Sequence, residues 1–356
     1  MKKIVSMSLF SDPRTQGGIE TFNRTMKSFY PDNWIMITNS NRDSKIYDVK
    51  DVIEIGSQNI FFKVLNKILK NKLREKLIKD KVNENLEEII VFSFPYEVQL
   101  LKDIKAKKIL VQHGNFDNYM SNYCCGRKDY IDGIKNDTDY FIALSPQDKE
   151  RFQKELNLTD KQIKVIRHSS KIELLEKKKE KNKKLIMIVR IDIFHKGLDL
   201  AVKVMKKLPD FTLDIYGEEH REGELKKLEN IIKENNIINV FFRGKTNKVQ
   251  EKLDESGIFI MTSNYEGYPI STIEALRRGL PIVLRNTFEA ASDIAIDNGI
   301  LLEKEWNEDK FVEAVRKVYD NYEYYSENSK KLGKRYNPKV IKKEWDRLIE
   351  NGEKNE

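Results

Sequence analysis

The sequence predicts an α/β protein with two open parallel sheets, one in each half of the chain, facing a cleft. Three observations carry this. Short continuous runs of Val, Ile, Leu and Phe recur along all 356 residues, the pattern of strands buried on both faces. Amphipathic helical stretches separate most of these runs. The alternation pauses once, at the charge run EKKKEKNKK (176–184), and then restarts.

In the first half, strands are expected in KKIVSMSLF (2–10), WIMITN (34–39), DVIEIG (51–56), EEIIVFSFP (87–95), KKILVQHG (107–114), YFIALS (140–145) and IKVIRH (163–168). In the second half they fall in LIMIVRI (185–191), FTLDIYG (211–217), NVFFRG (239–244), IFIMTS (258–263), PIVLRN (281–286) and GILLE (299–303). The run at 176–184 has no apolar face and reads as a solvated linker. The expected Rossmann-like domains are residues 1–170 and 171–336, with a final helix in 337–356 packing back on the first. Ligands of such sheets bind at the carboxyl ends of the strands.

Composition narrows the function classes. Hydrophobic residues make up 39% and charged residues 34%, and no run of about 18 apolar residues suggests a membrane span. The opening MKKIVSMSLFSDP is too short and interrupted for a signal peptide and reads as a first strand. Two adjacent cysteines, Cys124 and Cys125, fit a reducing cytoplasm and offer no disulfide framework or zinc set. The net charge of +8 suits an anionic partner. The lysines are dispersed and no aromatic-basic motif accompanies them, so no nucleic acid partner is expected.

The chemistry concentrates in NYEGYPISTIEALRRG (264–279), which follows a strand and enters a helix. Gly267 permits a tight backbone, and Pro269 suits the first turn of a helix. The free N–H groups at the start of that helix, near Ile270, together with its dipole, favour an anion. Ser271 and Thr272 add candidate donors. Glu266 precedes the turn and Glu274 sits about one turn into the helix, so both are placed to reach hydroxyls beside the anion. At another strand end, IVRIDIFHKG (188–197) presents Arg190 and Lys196. Two fixed cations beside a helix N-terminus make a diphosphate site, and such an arrangement can take the place of a divalent metal. No Asp-x-Asp lies in a plausible metal-binding loop.

This set resembles the family 4 retaining glycosyltransferases of the GT-B fold, over nearly the whole chain. EGYPISTIEALRRGLPIV is similar to that family's Glu-seven-residues-Glu motif. IVRIDIFHKGLDLAVK resembles its arginine-to-lysine phosphate-binding segment, GGIETFNRTM its N-terminal Gly-Gly loop and helix, and VFFRGKT its turn beside the nucleotide base. The resemblance implies an acceptor-side first domain and a donor-binding second domain. It implies that Arg190 and Lys196 hold the donor diphosphate and that Glu274 binds ribose hydroxyls. Glu266 would hold the transferred sugar, beside the backbone of Gly267, Tyr268, Pro269 and Ile270, with Gly244 and Lys245 bordering the base. In the first half it implies donor contacts from Gly17, Gly18 and His113. Ser145 reads instead as a helix N-cap. Two departures stand out: VIRHSSKIE replaces the family's usual crossover turn, and Val189 stands where a glycine usually precedes the phosphate arginine.

The segment 60–81 carries eight lysines and arginines against two acids, with Phe61, Val64, Leu65, Ile68, Leu69, Leu73 and Leu77 near helical spacing. It reads as a basic amphipathic helix, either packed on its own sheet or lying on an anionic membrane surface. The function expected is retaining transfer of a sugar from a nucleotide diphosphate sugar, a UDP-sugar favoured, to a glycan or lipid-linked acceptor in bacterial surface polysaccharide synthesis. No cofactor or metal is expected, and the setting is the cytoplasm or the inner face of the membrane. The alternatives are a nucleotide-sugar epimerase of the same fold and a non-catalytic subunit of a glycosyltransferase complex. Substituting Arg190 or Lys196 is expected to leave folding nearly unchanged.

Overall fold

A computed structural model describes residues 3–15, 17–39, 45, 47–55, 67, 69 and 71–350. The chain divides into two units, one of residues 1–167 with 342–356 and one of residues 168–341.

The first unit is built on seven parallel strands: β1 (Ile4–Met7), β2 (Trp34–Thr38), β3 (Val52–Glu54), β4 (Ile89–Phe92), β5 (Lys107–Val111), β6 (Tyr140–Ala143) and β7 (Ile163–Val165). They lie in the order β3-β2-β1-β4-β5-β6-β7. The second unit has six: β8 (Lys184–Ile188), β9 (Thr212–Tyr216), β10 (Val240–Gly244), β11 (Ile258–Met261), β12 (Ile282–Arg285) and β13 (Gly299–Leu302), in the order β10-β9-β8-β11-β12-β13. Every pairing in both sheets is parallel. All thirteen expected strands are present. Their continuous apolar character is explained by burial: Ile89–Phe92 and Ile258–Met261 are buried at every residue.

Each sheet reverses its strand order once, between β1 and β4 and between β8 and β11. Loops leaving the carboxyl ends of two such adjacent strands diverge to opposite faces and leave a crevice, where ligands of open α/β sheets bind. In the second unit, Arg190 follows β8 and Glu266 follows β11.

Two expectations need correction, and the structure bears on a third. The segment 176–184 is not simply solvated. Lys179 is 5% exposed and donates to the carbonyls of Leu253 (2.8 Å) and Asp254 (2.5 Å). Just before it, Leu175 N–H donates to Arg277 O and Arg278 donates to Glu173 O, each at 2.8 Å, so this stretch is strapped to the second unit. The basic stretch is not one helix over 60–81. A helix runs from Lys72 to Asn85, and Asn71 before it is left-handed at φ 68, which ends helical continuity there. That helix buries Ile78 and Val82 in the core of its unit. Residues 60–66, 68 and 70 lie outside the described residues. Finally, Lys196 is part of a largely buried ion pair, described below, which bears on the expectation that its replacement leaves folding nearly unchanged.

The helix Pro338–Glu350 crosses the division of the chain, and residues from 342 onward belong with the first unit. There Trp345 is buried against Phe22 (centroids 5.9 Å), Tyr30 Oη donates to Asp346 at 2.9 Å, and Lys107 donates to Leu348 O.

Candidate active site

At the switch point of the second unit, the loop after β8 and the loop after β11 are fastened together along their length. Asn264 N–H donates to His195 O (2.9 Å) and its side chain to Phe194 O (2.6 Å). Thr262 Oγ1 lies 3.0 Å from Lys196 O and 2.9 Å from Gly197 O. Gly197 is left-handed at φ 58, and a Cβ there would come within 2.3 Å of Thr262 O, so only glycine lets the two backbones approach this closely. Gly217, at φ 155, plays a similar part on the other side of β8. A Cβ there would meet Val189 O at 1.7 Å. Val189 itself continues the β8–β9 ladder through its N–H to Tyr216 O (2.9 Å), consistent with an ordinary backbone at that position.

This fastening brings Lys196 and Glu266 together. Lys196 Nζ lies 2.8 Å from Glu266 Oε1, with the side chains 13% and 10% exposed. Ser263 Oγ donates to the same oxygen at 2.6 Å. Burial pushes the Glu266 carboxyl up, but Lys196, His195 and the two hydrogen bonds outweigh it, so the group sits below its ordinary value and is ionised at neutral pH. Arg190 is more open, 48% exposed, with Asp192 at 3.6 Å. Between the cations stands His195, whose ring stacks on Tyr265 (centroids 4.0 Å, planes 7° apart).

The strand at the other side of β11 braces this assembly. Arg285, at the end of β12, is buried and donates to Thr262 O (2.8 Å), Asn264 Oδ1 (2.9 Å) and Lys304 O (2.6 Å), while Thr287 Oγ1 donates to Ser263 O (2.8 Å). His195, Arg285, Thr287 and Gly217 were not picked out from the sequence. Their roles rest on backbone partners far along the chain, and no local pattern announces those.

The helix that follows runs from Ile270 to Arg277 with Pro269 as its cap. Glu274 lies on it, part-buried, its carboxylate in no hydrogen bond or ion pair among the described residues, and burial alone pushes its carboxyl up to about 7. Thr272 is turned inward, its hydroxyl 3.9 Å from Met261 sulfur, and is not a donor to a ligand. The Tyr268 side chain is likewise committed to the interior, with its hydroxyl 2.9 Å from both Asp293 Oδ2 and Tyr336 Oη. At Tyr268, therefore, only the backbone remains for a ligand. Gly244 ends β10 in a left-handed conformation at φ 67, and Lys245 beside it pairs with Glu218 at 3.1 Å. The departure at VIRHSSKIE is a packed turn: His168 is buried beside Tyr268, and Ser170 Oγ accepts from Ile172 N–H at 3.1 Å.

In the first unit, Gly17 is extended (φ 161, ψ 173) and precedes the helix Gly18–Phe29. His113, just after β5, is part-buried with its ring 5.2 Å from that of Phe22 on the same helix. Ser145 caps the helix Pro146–Leu156, accepting from Asp148 N–H at 3.0 Å. The switch point of this sheet holds a group that the sequence did not single out. Glu97 is fully buried and accepts from the N–H groups of Leu9 (2.6 Å), Ser93 (3.0 Å) and Phe94 (3.1 Å), joining the loops after β1 and β4. Burial pushes its carboxyl up to about 7 against the pull of these three bonds.

Among the described residues no group of three His, Cys, Asp or Glu is placed to hold a metal ion, and no helix is long and apolar enough to cross a membrane.

Residues 170–336 match the family described as glycosyl transferases group 1. An uncharacterized glycosyltransferase of Haemophilus influenzae is 26% identical over 327 residues, covering 85% of this chain and 91% of that one. The O-antigen biosynthesis glycosyltransferase WbnH of Escherichia coli is 26% identical over 272 residues, 74% of this chain and 73% of that one. Among solved structures, HepE of Anabaena in complex with UDP-glucose superposes with a TM-score of 0.81 at 13% identity, over 98% of this chain and 100% of that one.

Proposed function

We propose that the chain, which has the GT-B architecture and matches group 1 glycosyl transferases over residues 170–336, is a glycosyltransferase that moves a sugar from a nucleotide diphosphate sugar, a UDP-sugar favoured, with retention of configuration, as family 4 members do. The observation that carries this reading is the fastened pair of loops at the β8/β11 switch point, where Arg190, Lys196 and Glu266 converge. Negative charge grows on the diphosphate as the bond to the sugar breaks. Arg190 and Lys196 are fixed in place to meet it, and preorganised charge of this kind is the usual main source of rate enhancement. Lys196 has three N–H donors, so its bond to Glu266 leaves others for phosphate oxygens. Glu266, kept ionised, accepts from hydroxyls of the transferred sugar, and Glu274 accepts from those of the ribose. The backbone from Gly267 to Ile270, together with Gly244 and Lys245, lines the rest of the donor. The family resemblance adds Gly17, Gly18 and His113 as candidate donor contacts.

The reaction needs no metal or other cofactor in this reading. The acceptor is a glycan or lipid-linked glycan of bacterial surface polysaccharide, in keeping with the O-antigen relative. The enzyme works in the cytoplasm in this reading, and the basic segment 60–81 either packs on its own sheet or meets the anionic inner membrane surface, which a charge reversal separates. Exchange of Lys67, Lys70 and Arg74 for Glu then weakens binding to anionic vesicles and spares donor hydrolysis. Equal vesicle binding by both forms removes the membrane role.

The test of the donor site is a panel of nucleotide sugars measured for binding and slow hydrolysis, followed by the two glutamates. Glu274→Ala weakens both the bare nucleotide and the donor. Glu266→Ala spares the bare nucleotide and slows turnover, the lost contact being a charge-assisted hydrogen bond of roughly 1.5–3 kcal/mol. The opposite pattern reverses the assignment, and no effect in either variant refutes the site.

A further inference from the structure

His195 sits where the two loops meet, and its ring is engaged on every side. Nδ1 lies 3.3 Å from Arg190 Nη2, and Nε2 lies 3.0 Å from Tyr265 O. A guanidinium has donors only and a carbonyl oxygen only accepts. Both contacts are hydrogen bonds in one arrangement alone, with the ring neutral and its single proton on Nε2. The ring face is occupied by Tyr265, and the side chain is 16% exposed. The backbone is pinned as well: His195 N–H donates to Asp192 Oδ1 (2.9 Å) and His195 O accepts from Asn264 N–H (2.9 Å).

The geometry points to His195 as a positioning residue for the donor diphosphate, a neutral imidazole that holds the Arg190 guanidinium through Nδ1 and ties it to the Tyr265–Glu266 backbone through Nε2. This rests on the reading of Arg190 as a diphosphate ligand. Arg190 is nearly half exposed and its carboxylate neighbour Asp192 is 3.6 Å away, so without His195 the long side chain has little to fix it. A ligand that needs the guanidinium in one place then meets an ordering cost of the order of one rotamer-rich side chain, which corresponds to a loss of affinity of up to about tenfold. The charges facing the ring come from both loops: Arg190, Asp192 and Lys196 from the first, Glu266 at 4.0 Å from the second. Burial foremost, and then Lys196, drive the imidazole down to about 4, with Glu266 opposing. The ring is therefore neutral across the physiological range, and Arg190 does not face a second cation on its own support.

Three variants separate the contacts. His195→Phe keeps a ring to stack on Tyr265 and removes both hydrogen bonds. His195→Asn places an amide oxygen near the position of Nδ1, and His195→Gln places an amide N–H near that of Nε2. Binding of UDP, GDP and ADP is measured by calorimetry, and the tightest is carried through a cycle with Arg190→Ala. The expected result is an affinity loss of about tenfold for His195→Phe, substantial recovery in His195→Asn but not in His195→Gln, and less than twofold effect of His195→Phe in the Arg190→Ala background. Nitrogen-15 spectra of the full chain, assigned by the signal lost in His195→Phe, should show the Nε2–H tautomer with no titration between pH 5.5 and 8. An equal loss in both Arg190 backgrounds, or a titration within that range, overturns the inference while leaving the diphosphate site intact. If Arg190→Ala itself leaves nucleotide binding unchanged, the diphosphate reading falls first and this inference with it.

Discussion

Lys196→Ala should destabilise the protein, and Arg190→Ala should not. Lys196 and Glu266 form a 2.8 Å ion pair whose side chains are 13% and 10% exposed, so removing the lysine strands a carboxylate that, among the described residues, keeps only Ser263 as a close donor. Breaking a buried pair from one side costs 3–5 kcal/mol. The residual exposure and the serine place this one at the low end, about 3 kcal/mol. Arg190, 48% exposed with its carboxylate at 3.6 Å, belongs to the surface class worth 0–1 kcal/mol. The pH dependence gives a second signature. In the wild type the depressed Glu266 carboxyl contributes stability above the unfolded carboxylate value, and that contribution fades as pH falls through its folded value. In Lys196→Ala burial is no longer opposed by the lysine, the carboxyl rises, and stability falls as pH increases instead. The gap between the two proteins therefore narrows in acid. Guanidinium titrations followed by circular dichroism at pH 5 and pH 8 read both effects, and the double variant Lys196→Met/Glu266→Gln should recover much of the loss. A Lys196→Ala variant as stable as Arg190→Ala at both pH values would refute the assignment of a buried, energetically coupled pair.

Other outcomes follow from the same structure. The Glu274 carboxyl, raised to about 7, holds a proton in the folded state that the unfolded chain loses near pH 4, so it lowers stability as pH rises through that window. Glu274→Gln should flatten that slope, and a bound ribose hydroxyl should release a proton near neutral pH, seen as a buffer-dependent binding enthalpy in the wild type only. Glu97→Ala should lower the melting temperature strongly, because three buried N–H groups lose their acceptor at about 1–3 kcal/mol each; a loss smaller than about 1 kcal/mol would mean that water replaces the carboxylate. Arg285→Met removes the brace on Thr262 and Asn264 and should slow turnover more than it weakens nucleotide binding; unchanged kinetics would show that the fastening between the two loops suffices. Arg190→Ala and Lys196→Ala should each slow transfer by roughly 10²–10³, and chelator should not affect the wild type. Metal-reversible loss of activity would sink the proposed charge arrangement.

The strands were legible because burial on both faces writes an unbroken apolar run into the sequence, as at IIVF (89–92) and IFIM (258–261). The loops at their carboxyl ends were legible where glycine and proline punctuate them, around Gly267 and Pro269. Much of what sets the positions within those loops was not. His195, Arg285 and Glu97 act on backbone groups of residues 70, 23 and 88 positions away, and a hydrogen bond to a distant carbonyl or amide leaves no local pattern. The strap at Lys179 was misread for the same reason. A lysine held by two backbone carbonyls of a helix 74 and 75 positions on looks, in sequence, like one more solvated charge. The basic stretch misled differently: its spacing continues smoothly through Asn71, where the backbone turns left-handed.

The closing helix also bears on how the chain is made. Trp345 and Asp346 complete a core around Phe22 and Tyr30, residues that leave the ribosome long before them. At roughly 5–20 residues per second, the 316 positions between Tyr30 and Asp346 take about 15–60 s to produce. Throughout that interval the first sheet can assemble while the face awaiting Trp345 stays uncovered. The nascent first unit therefore lacks part of its core until the helix Pro338–Glu350 arrives, and the second unit, contiguous from 168 to 341, is under no such delay.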